Sequence, residues 1–424
     1  MNNEKKLDAL LKKHGVESTE VKVSFNDIPE QPEGVTKLLD TYYVLKNTAD
    51  MEIPYWYNRV WEEDNGDITE IRRAKAYAAA LSHVTPTIQP YEKLVMQKTK
   101  NVRGAFPFPW VTASFFNAQA KALMDEVDAP ALSEADKVSI VGGGGGNVTE
   151  SFGNVISLAK KFGMRKEDIP VLVKASKPWE GCSVEELSAK LSAYTPEYEL
   201  HKKIMDGVVC MFDSFCIPQG REVMNYYYPL QYGWDGIIEL CDKKIAETIG
   251  EAGEDGKLGM SRGYYYIATK IMAQGISKWC ENYAKQAAYL ASIEKDPELK
   301  KNYEEIHDVM AHIAHKAPVT FRQALQLTLA CHYAVVNEDP QSGQSIGRLG
   351  QVLQPFYAKD IEDGITTDEE VIELLEYYRV KITCIECFAS AGVTGGVLSG
   401  NTFNNLSLGG LTRDGLTAVT PLEY

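Results

Sequence analysis

Ala317–Gln351 reads APVTFRQALQLTLACHYAVVNEDPQSGQSIGRLGQ. Pro318 and the Thr320-x-x-Gln323 pattern mark a helix start, because two such side chains can satisfy each other's orphan amides. The apolar run behind them predicts a helix over Phe321–Asn337. A polar, glycine-containing turn follows, with Ser342 inside it. A second start signal, Thr367-x-x-Glu370, opens a helix predicted over Asp368–Lys381, and glycine-rich sequence returns through Ile382–Gly410. Convincing strands are few, at LVMQKT (Leu94–Thr99) and around Val397–Leu408. Helix, strand and glycine-rich turn in alternation predict parallel strands joined by helices, an α/β class, in a chain that is otherwise mostly helical.

The pattern elsewhere is helical as well. Helices are expected at about Lys5–His14, Thr69–Ser82, Thr112–Glu126, Glu150–Phe162, Val184–Ala193, Asp235–Ile249, Arg262–Tyr289 and Lys300–His315, with Ser183-x-x-Glu186 as a third capping box. No fixed-period repeat, low-complexity linker or charge block divides the chain. At 424 residues, 44% of them hydrophobic, it can bury a large core. The formal net charge of -15 argues against nucleic acid or an anionic membrane surface as partner. No apolar run approaches the roughly 20 residues of a membrane span. The charged, amphipathic start MNNEKKLDALLKKHG lacks the apolar core of a signal peptide. The eight cysteines sit mostly in apolar stretches such as VVCMF and LACHY, which fits free thiols in a reducing, cytoplasmic compartment.

Three stretches invite a site. GGGGGNVTESFGN (Gly142–Asn154) could cradle phosphate with free amides at a helix start, but it lacks the Gly-x-x-x-x-Gly-Lys-Ser/Thr pattern and reads better as a turn with Asn147 or Thr149 capping a helix. His307, His312 and His315 lack the convergence that zinc needs. His312 can meet Asp308 one turn back instead. Cys384-x-x-Cys387 follows a helix rather than opening one, so the helix dipole does not favour a thiolate, and no second pair completes a metal cage. What remains is a set of motifs mixing aromatic, polar and glycine residues, as in a closed pocket for a small aromatic ligand. They are DMEIPYWYNR, FPFPW, MFDSFCIPQGREV, YYYPLQYGWDGI, NEDPQSGQSIGRLGQ and SGNTFNNLSLGG.

APVTFRQALQL, NEDPQSGQSIGRLGQ, PFYAKDIEDGITTDEEVIELL, SHVTPTIQPYEKLVMQ and GNTFNNLSLGGLTRDG together resemble the glycyl radical enzymes, the superfamily related to pyruvate formate-lyase. DMEIPYWYNR, GGGNVTESFGN, MFDSFCIPQGREV, YYYPLQYGWDGIIE and CIECFASAGVTGGVLSGNTFNNLSLGG resemble its arylacetate decarboxylase group. The likeness runs from about Thr41 to Tyr424. It implies a ten-stranded α/β barrel of two five-stranded half-barrels wrapped by helices, of which residues 1–424 are the N-terminal portion. In the family a Gly-Cys-x-Glu loop and a radical glycine follow later. EGCSVEE (Glu180–Glu186) imitates the former but sits at a helix cap.

The resemblance implies decarboxylation of 4-hydroxyphenylacetate to p-cresol and carbon dioxide. Indoleacetate, phenylacetate, or a short non-catalytic or partner-dependent chain are the alternatives. Matching motifs put Ser342 near the substrate carboxylate and Phe212 and Phe403 on its ring. Arg221 and Arg348 are expected in structural ion pairs. The thiyl cysteine and radical glycine fall beyond Tyr424, so no catalytic residue and no metal are expected in this chain. Implied partners are a radical S-adenosylmethionine activating enzyme that installs the glycyl radical, a second copy of the chain (a homo-oligomer), and a small iron–sulfur subunit.

Overall fold

The computed structural model describes residues 31–64, 66–107, 109–110, 163–183, 223–250, 256–338, 345–385, 404–412 and 414–423, with isolated positions between 186 and 197. The expected helices at Lys5–His14, Thr112–Glu126 and Glu150–Phe162, most of Val184–Ala193, and the run Gly142–Asn154 lie outside the described residues.

The described elements are α1 (Glu33–Tyr43), β1 (Thr48–Ala49), α2 (Glu52–Glu63), α3 (Thr69–His83), β2 (Gly104–Ala105), α4 (Asp168–Ser176), α5 (Tyr227–Gly250), α6 (Gly256–Ile293), α7 (Pro297–Ile313), α8 (Phe321–Glu338), α9 (Leu349–Glu362) and α10 (Asp368–Thr383). The expected helices α3, α5, α6, α7, α8 and α10 are all present. α5 starts earlier than its periodicity predicts, and α7 stops two residues short. Helices α1, α2, α4 and α9 have no counterpart in the sequence reading. α2 hides behind its aromatic content and Pro54, which a first helical turn tolerates. α9 carries Pro355 in its interior.

The three capping boxes differ in detail. At α10 the box is complete: Glu370 N donates to Thr367 Oγ1 at 3.3 Å, and Thr367 N to Glu370 Oε2 at 3.1 Å. At α8 Thr320 Oγ1 accepts from Gln323 N, but the Gln323 side chain reaches one residue further back, to Val319 N at 2.9 Å. At Ser183 both the amide and the hydroxyl donate to Glu186.

The long helix α6 forms the spine and packs on α3, α5 and α7. Alanine-rich α3 approaches it so closely that a Cβ on Gly275 would sit 2.6 Å from Ala78 Cα, which only glycine avoids. Around this crossing lies the larger core, with Trp279, Cys280 and Tyr283 of α6, Tyr333 of α8 and Tyr377 of α10 all buried. Each such aromatic contributes roughly 1.5–3 kcal/mol by leaving water. Cys241, Cys280 and Cys331 are buried free thiols, and burial pushes the Cys280 thiol up to about 12. Cys182 is exposed. A smaller aromatic core gathers Tyr57 with Trp61, Tyr77, Trp110 and Trp179. FPFPW serves this packing through Phe106 and Trp110.

The expected strand at LVMQKT is absent. Leu94–Thr99 is buried, but its pairing partner is a side chain: the Gln326 amide accepts from Val95 N at 2.8 Å and donates to Val95 O at 2.9 Å. One glutamine of α8 thus pairs the backbone of Val95, where a neighbouring strand was expected. Among the described residues the regular sheet is a single parallel pair, Thr48↔Gly104 and Ala49↔Ala105. The last described turn, Pro421–Glu423, packs on α9. There Leu422 N donates to Gln354 Oε1, and Gly409 N to Glu423 Oε2. No helix among the described residues is long and apolar enough to cross a membrane.

Candidate functional site

Three of the six mixed motifs meet in one parallel ladder. MFDSFCIPQGREV ends at Val223, which bridges Ser345 of NEDPQSGQSIGRLGQ, and Gly347 of that same motif bridges Leu406 of SGNTFNNLSLGG. Ile346 N donates to Asn405 O at 2.8 Å and Ser407 N to Gly347 O at 2.9 Å. The order across the ladder is 223, 345–347, 405–407, with the segment joining α8 to α9 in the middle. Gly347 is required there twice over. Its φ is +74°, and a Cβ would lie 2.7 Å from Val223 Cγ1.

Apolar residues on this ladder face solvent: Val223 is 58% exposed, Leu406 49% and Leu408 63%. Beneath it, α8 is almost wholly buried. His332 Nε2 lies 2.9 Å from Asn404 Oδ1, and burial pushes the imidazole down to about 4, so it is neutral at physiological pH. Asn404 Oδ1 only accepts, so the proton sits on Nε2.

Ser342, Phe212 and Phe403 themselves lie outside the described residues, as do Arg221 and Cys387. The ladder joins the motifs that carry the first three. Arg348 departs from expectation: its Nη1 donates to the Leu411 carbonyl at 3.0 Å, and its guanidinium lies against Gly410. A backbone carbonyl holds it where a carboxylate was expected. Cys384 caps the C-terminal end of α10, as its spacing predicts.

The three histidines face different partners. His307 Nδ1 meets Ala284 O at 3.0 Å, and His315 lies between Asp235 and Glu281. His312 Nε2 meets Ala317 O at 2.8 Å rather than Asp308, because the chain after α7 turns back over its own last turn. Among the described residues no group of three metal-ligating side chains converges.

DMEIPYWYNR works away from the ladder. Its residues line two clefts, of about 490 Å³ (with Lys100, Arg165 and Asp168) and about 280 Å³ (with Glu62 and Lys174). Asp50 is buried beside the larger one, accepting from Glu52 N at 2.8 Å, and burial raises its carboxyl to about 6. Of YYYPLQYGWDGI, Tyr226 and Trp234 are core while Tyr227 and Tyr228 are exposed.

One constellation escapes sequence reading altogether. Lys381, fully buried in the last turn of α10, donates to Glu92 Oε1 at 2.8 Å, Tyr42 OH at 3.2 Å and Gln97 Oε1 at 3.2 Å. Tyr42 OH donates to the same Glu92 oxygen, and Gln89 N to the other. Burial and the Glu92 charge together hold the Tyr42 phenol well above its usual range. The available signal is a lysine on the apolar face of α10, in register with Leu374 and Tyr378.

This fold, with its ladder between α8, α9 and the chain after α10, defines a class. Residues 22–424 match the pyruvate formate lyase-like family, and the chain belongs to that family of glycyl radical enzymes. It is 72% identical over 422 residues to the 4-hydroxyphenylacetate decarboxylase glycyl radical subunit of Clostridium scatologenes, covering 99% of this chain and 47% of that protein. It is 57% identical over 387 residues to the subunit of that name from Clostridioides difficile (strain CD196), covering 91% and 43%. The chain therefore spans about half the length of the relatives it matches. Among solved structures, the glycerol-bound B12-independent glycerol dehydratase from Clostridium butyricum superposes with a TM-score of 0.73 over 93% of this chain and 45% of that one, at 20% identity.

Proposed function

We propose that this chain is the N-terminal part of a glycyl radical decarboxylase converting 4-hydroxyphenylacetate to p-cresol and carbon dioxide. The observation that carries the reading is the ladder, where three motifs expected around one aromatic acid are hydrogen-bonded neighbours. The identity of 72% to a subunit of that name supports the choice of substrate. In this reading the ladder is part of the wall of a ten-stranded barrel built from two half-barrels. Ser342 donates to the substrate carboxylate, a charge-assisted bond contributing roughly 1.5–3 kcal/mol. Phe212 and Phe403 pack on the ring, each contact adding about 0.5–1.5 kcal/mol beyond area burial.

The thiyl cysteine and radical glycine come from sequence beyond this chain, and the radical is installed by a radical S-adenosylmethionine activating enzyme. The thiyl radical would take one hydrogen atom (an electron and a proton) from the substrate, the bond to carbon dioxide would break, and the 4-hydroxybenzyl radical so formed would take that hydrogen atom back from the thiol, regenerating the thiyl radical. The chain's own part is to hold the ring in a near-attack pose and keep water out. A homo-oligomer, a small iron–sulfur subunit and a cytoplasmic, anaerobic setting complete the reading.

The test is anaerobic activation of the full-length protein, followed by product analysis with 4-hydroxyphenylacetate, indoleacetate and phenylacetate in parallel. Formation of p-cresol in clear excess over skatole and toluene is expected. Preference for either other acid, or no turnover after a radical signal has formed, overturns the assignment.

A further inference from the structure

Two consecutive residues of α8 grip the chain on either side of a single stretch. Tyr333 OH donates to the Lys381 carbonyl at 2.9 Å, in the last turn of α10. His332 Nε2 donates to Asn404 Oδ1 at 2.9 Å, where the chain enters the ladder. Both α8 side chains are buried, with His332 at 1% and Tyr333 at 2% exposure. Between them run residues 382–403, which end in Phe403. Lys381 is fixed a second time by Glu92, Tyr42 and Gln97. On the far side, Asn405 O accepts from Ile346 N, and Ser407 N donates to Gly347 O, so Asn404 is the last residue before the ladder register begins.

The spacing explains why α8 suits this task. Neighbouring residues on a helix point about 100° apart, so one turn can hold two strands of chain without the side chains competing. A buried imidazole or phenol without a partner costs free energy, which makes each contact directional and hard to exchange. Neither His332 nor Tyr333 belongs to the substrate contacts in the proposed reaction, and both act through the chain they hold, His332 by the Asn404 side chain and Tyr333 by the Lys381 carbonyl.

We propose that His332 and Tyr333 are positioning residues that set, from one turn of α8, where the chain carrying Phe403 leaves α10 and where it enters the ladder. The consequence for substrate rests on the decarboxylase reading above, whereas the positioning itself does not.

The two parts separate in experiment. Amide hydrogen exchange is measured on this protein with His332→Leu, His332→Gln and Tyr333→Phe. Glutamine keeps an N–H donor at a similar reach, and leucine does not. His332→Leu is expected to accelerate exchange at Ser407 and Ile346 by about tenfold, the equivalent of one net hydrogen bond. His332→Gln is expected to restore most of that protection, and Tyr333→Phe to accelerate Cys384 and Ile385 while leaving Ser407 unchanged. Uniform acceleration across α6 and α7, or none at Ser407, overturns the proposal. Should His332→Leu fail to fold, Asn404→Ala removes the same bond from the surface side and is read at the same amides.

In the activated full-length protein, His332→Leu is expected to raise KM for 4-hydroxyphenylacetate about tenfold at unchanged radical yield, with His332→Gln recovering it. An unchanged KM overturns the link to substrate. If the unsubstituted protein turns over none of the three acids, the functional reading fails, and the exchange measurement alone decides the positioning role.

Discussion

The Lys381 cluster and the ladder are two polar assemblies bordering the same helix, and they are built on opposite principles. Around Lys381 three donors meet three acceptors, Glu92 uses both oxygens, and nothing is exposed. The cluster is closed. Among the described residues the ladder's backbone bonds run between three short segments, and Val223, Leu406 and Leu408 stand in solvent. Closure suits a joint that must not move, since a satisfied buried network specifies one geometry. An open ladder suits a surface that completes itself against something else, whether substrate or further chain. Strong electrostatics therefore mark the scaffold here.

The sharpest way to break this contrast is Lys381→Met. It leaves Glu92 as an uncompensated buried charge, which costs about 3–5 kcal/mol. Denaturant unfolding should show that loss, and Lys381→Met combined with Glu92→Leu should recover most of it. A double variant as unstable as the single one would mean that packing around the lysine stem, rather than charge, holds the joint.

On the ladder side the largest effect is expected from Gly347→Ala. The methyl group meets Val223 Cγ1 in a backbone conformation with positive φ, and strain plus overlap come to about 2–3 kcal/mol. Val223→Ala should return the overlap part and leave the strain. Thermal unfolding of the two single variants and the double variant separates the parts. Full recovery in the double variant would show that φ is not a constraint there.

The larger cleft and the ladder respond to pH with opposite signs. Burial raises the Asp50 carboxyl from 3.8 to about 6, so the folded state holds a proton that the unfolded state releases. That contribution is present below about pH 4 and is lost as pH rises through about 6. Burial lowers the His332 imidazole from 6.5 to about 4, so its contribution is present above about pH 6.5 and is lost as pH falls through about 4. Asp50→Asn should raise stability at pH 7 by about 2 kcal/mol, and His332→Gln should flatten the acid limb by a similar amount. Stability measured from pH 4 to 7 in both variants tests this. Parallel shifts at all pH values would mean that neither group titrates on unfolding.

Much of the scaffold was legible from local signals. The Thr367-x-x-Glu370 pattern became a complete capping box, and the apolar run after Thr320 became α8. The ladder was legible only as composition, since nothing local says that Val223 lies beside Ser345 across more than a hundred residues. Glu92 was illegible for the same reason: in PYEKLVMQ it looks like a solvated charge, and only Lys381, distant in sequence, makes it a buried one. LVMQKT misled because its apolar side chains are buried without a paired strand, the backbone of Val95 meeting one glutamine side chain instead. The site residues Ser342, Phe212 and Phe403 came from family likeness, and physical pattern alone ranked them no higher than other polar or aromatic positions.

The smallest expected effect is also the cleanest control on the contrast. Thr367→Ala removes the hydroxyl that accepts from Glu370 N and breaks the box at the start of α10. Loss of such a cap costs about 1 kcal/mol. The damage enters at the end of α10 opposite Lys381, on an exposed turn. If the closed cluster is the joint, the helix frays at its first turn and stays fixed at its last. Amide exchange should then quicken at Val371 but not at Cys384, and the ladder amides of Ile346 and Ser407 should keep their protection. Loosening that reached Cys384 would show that α10 moves as one body. The buried cluster would then follow the helix instead of holding it.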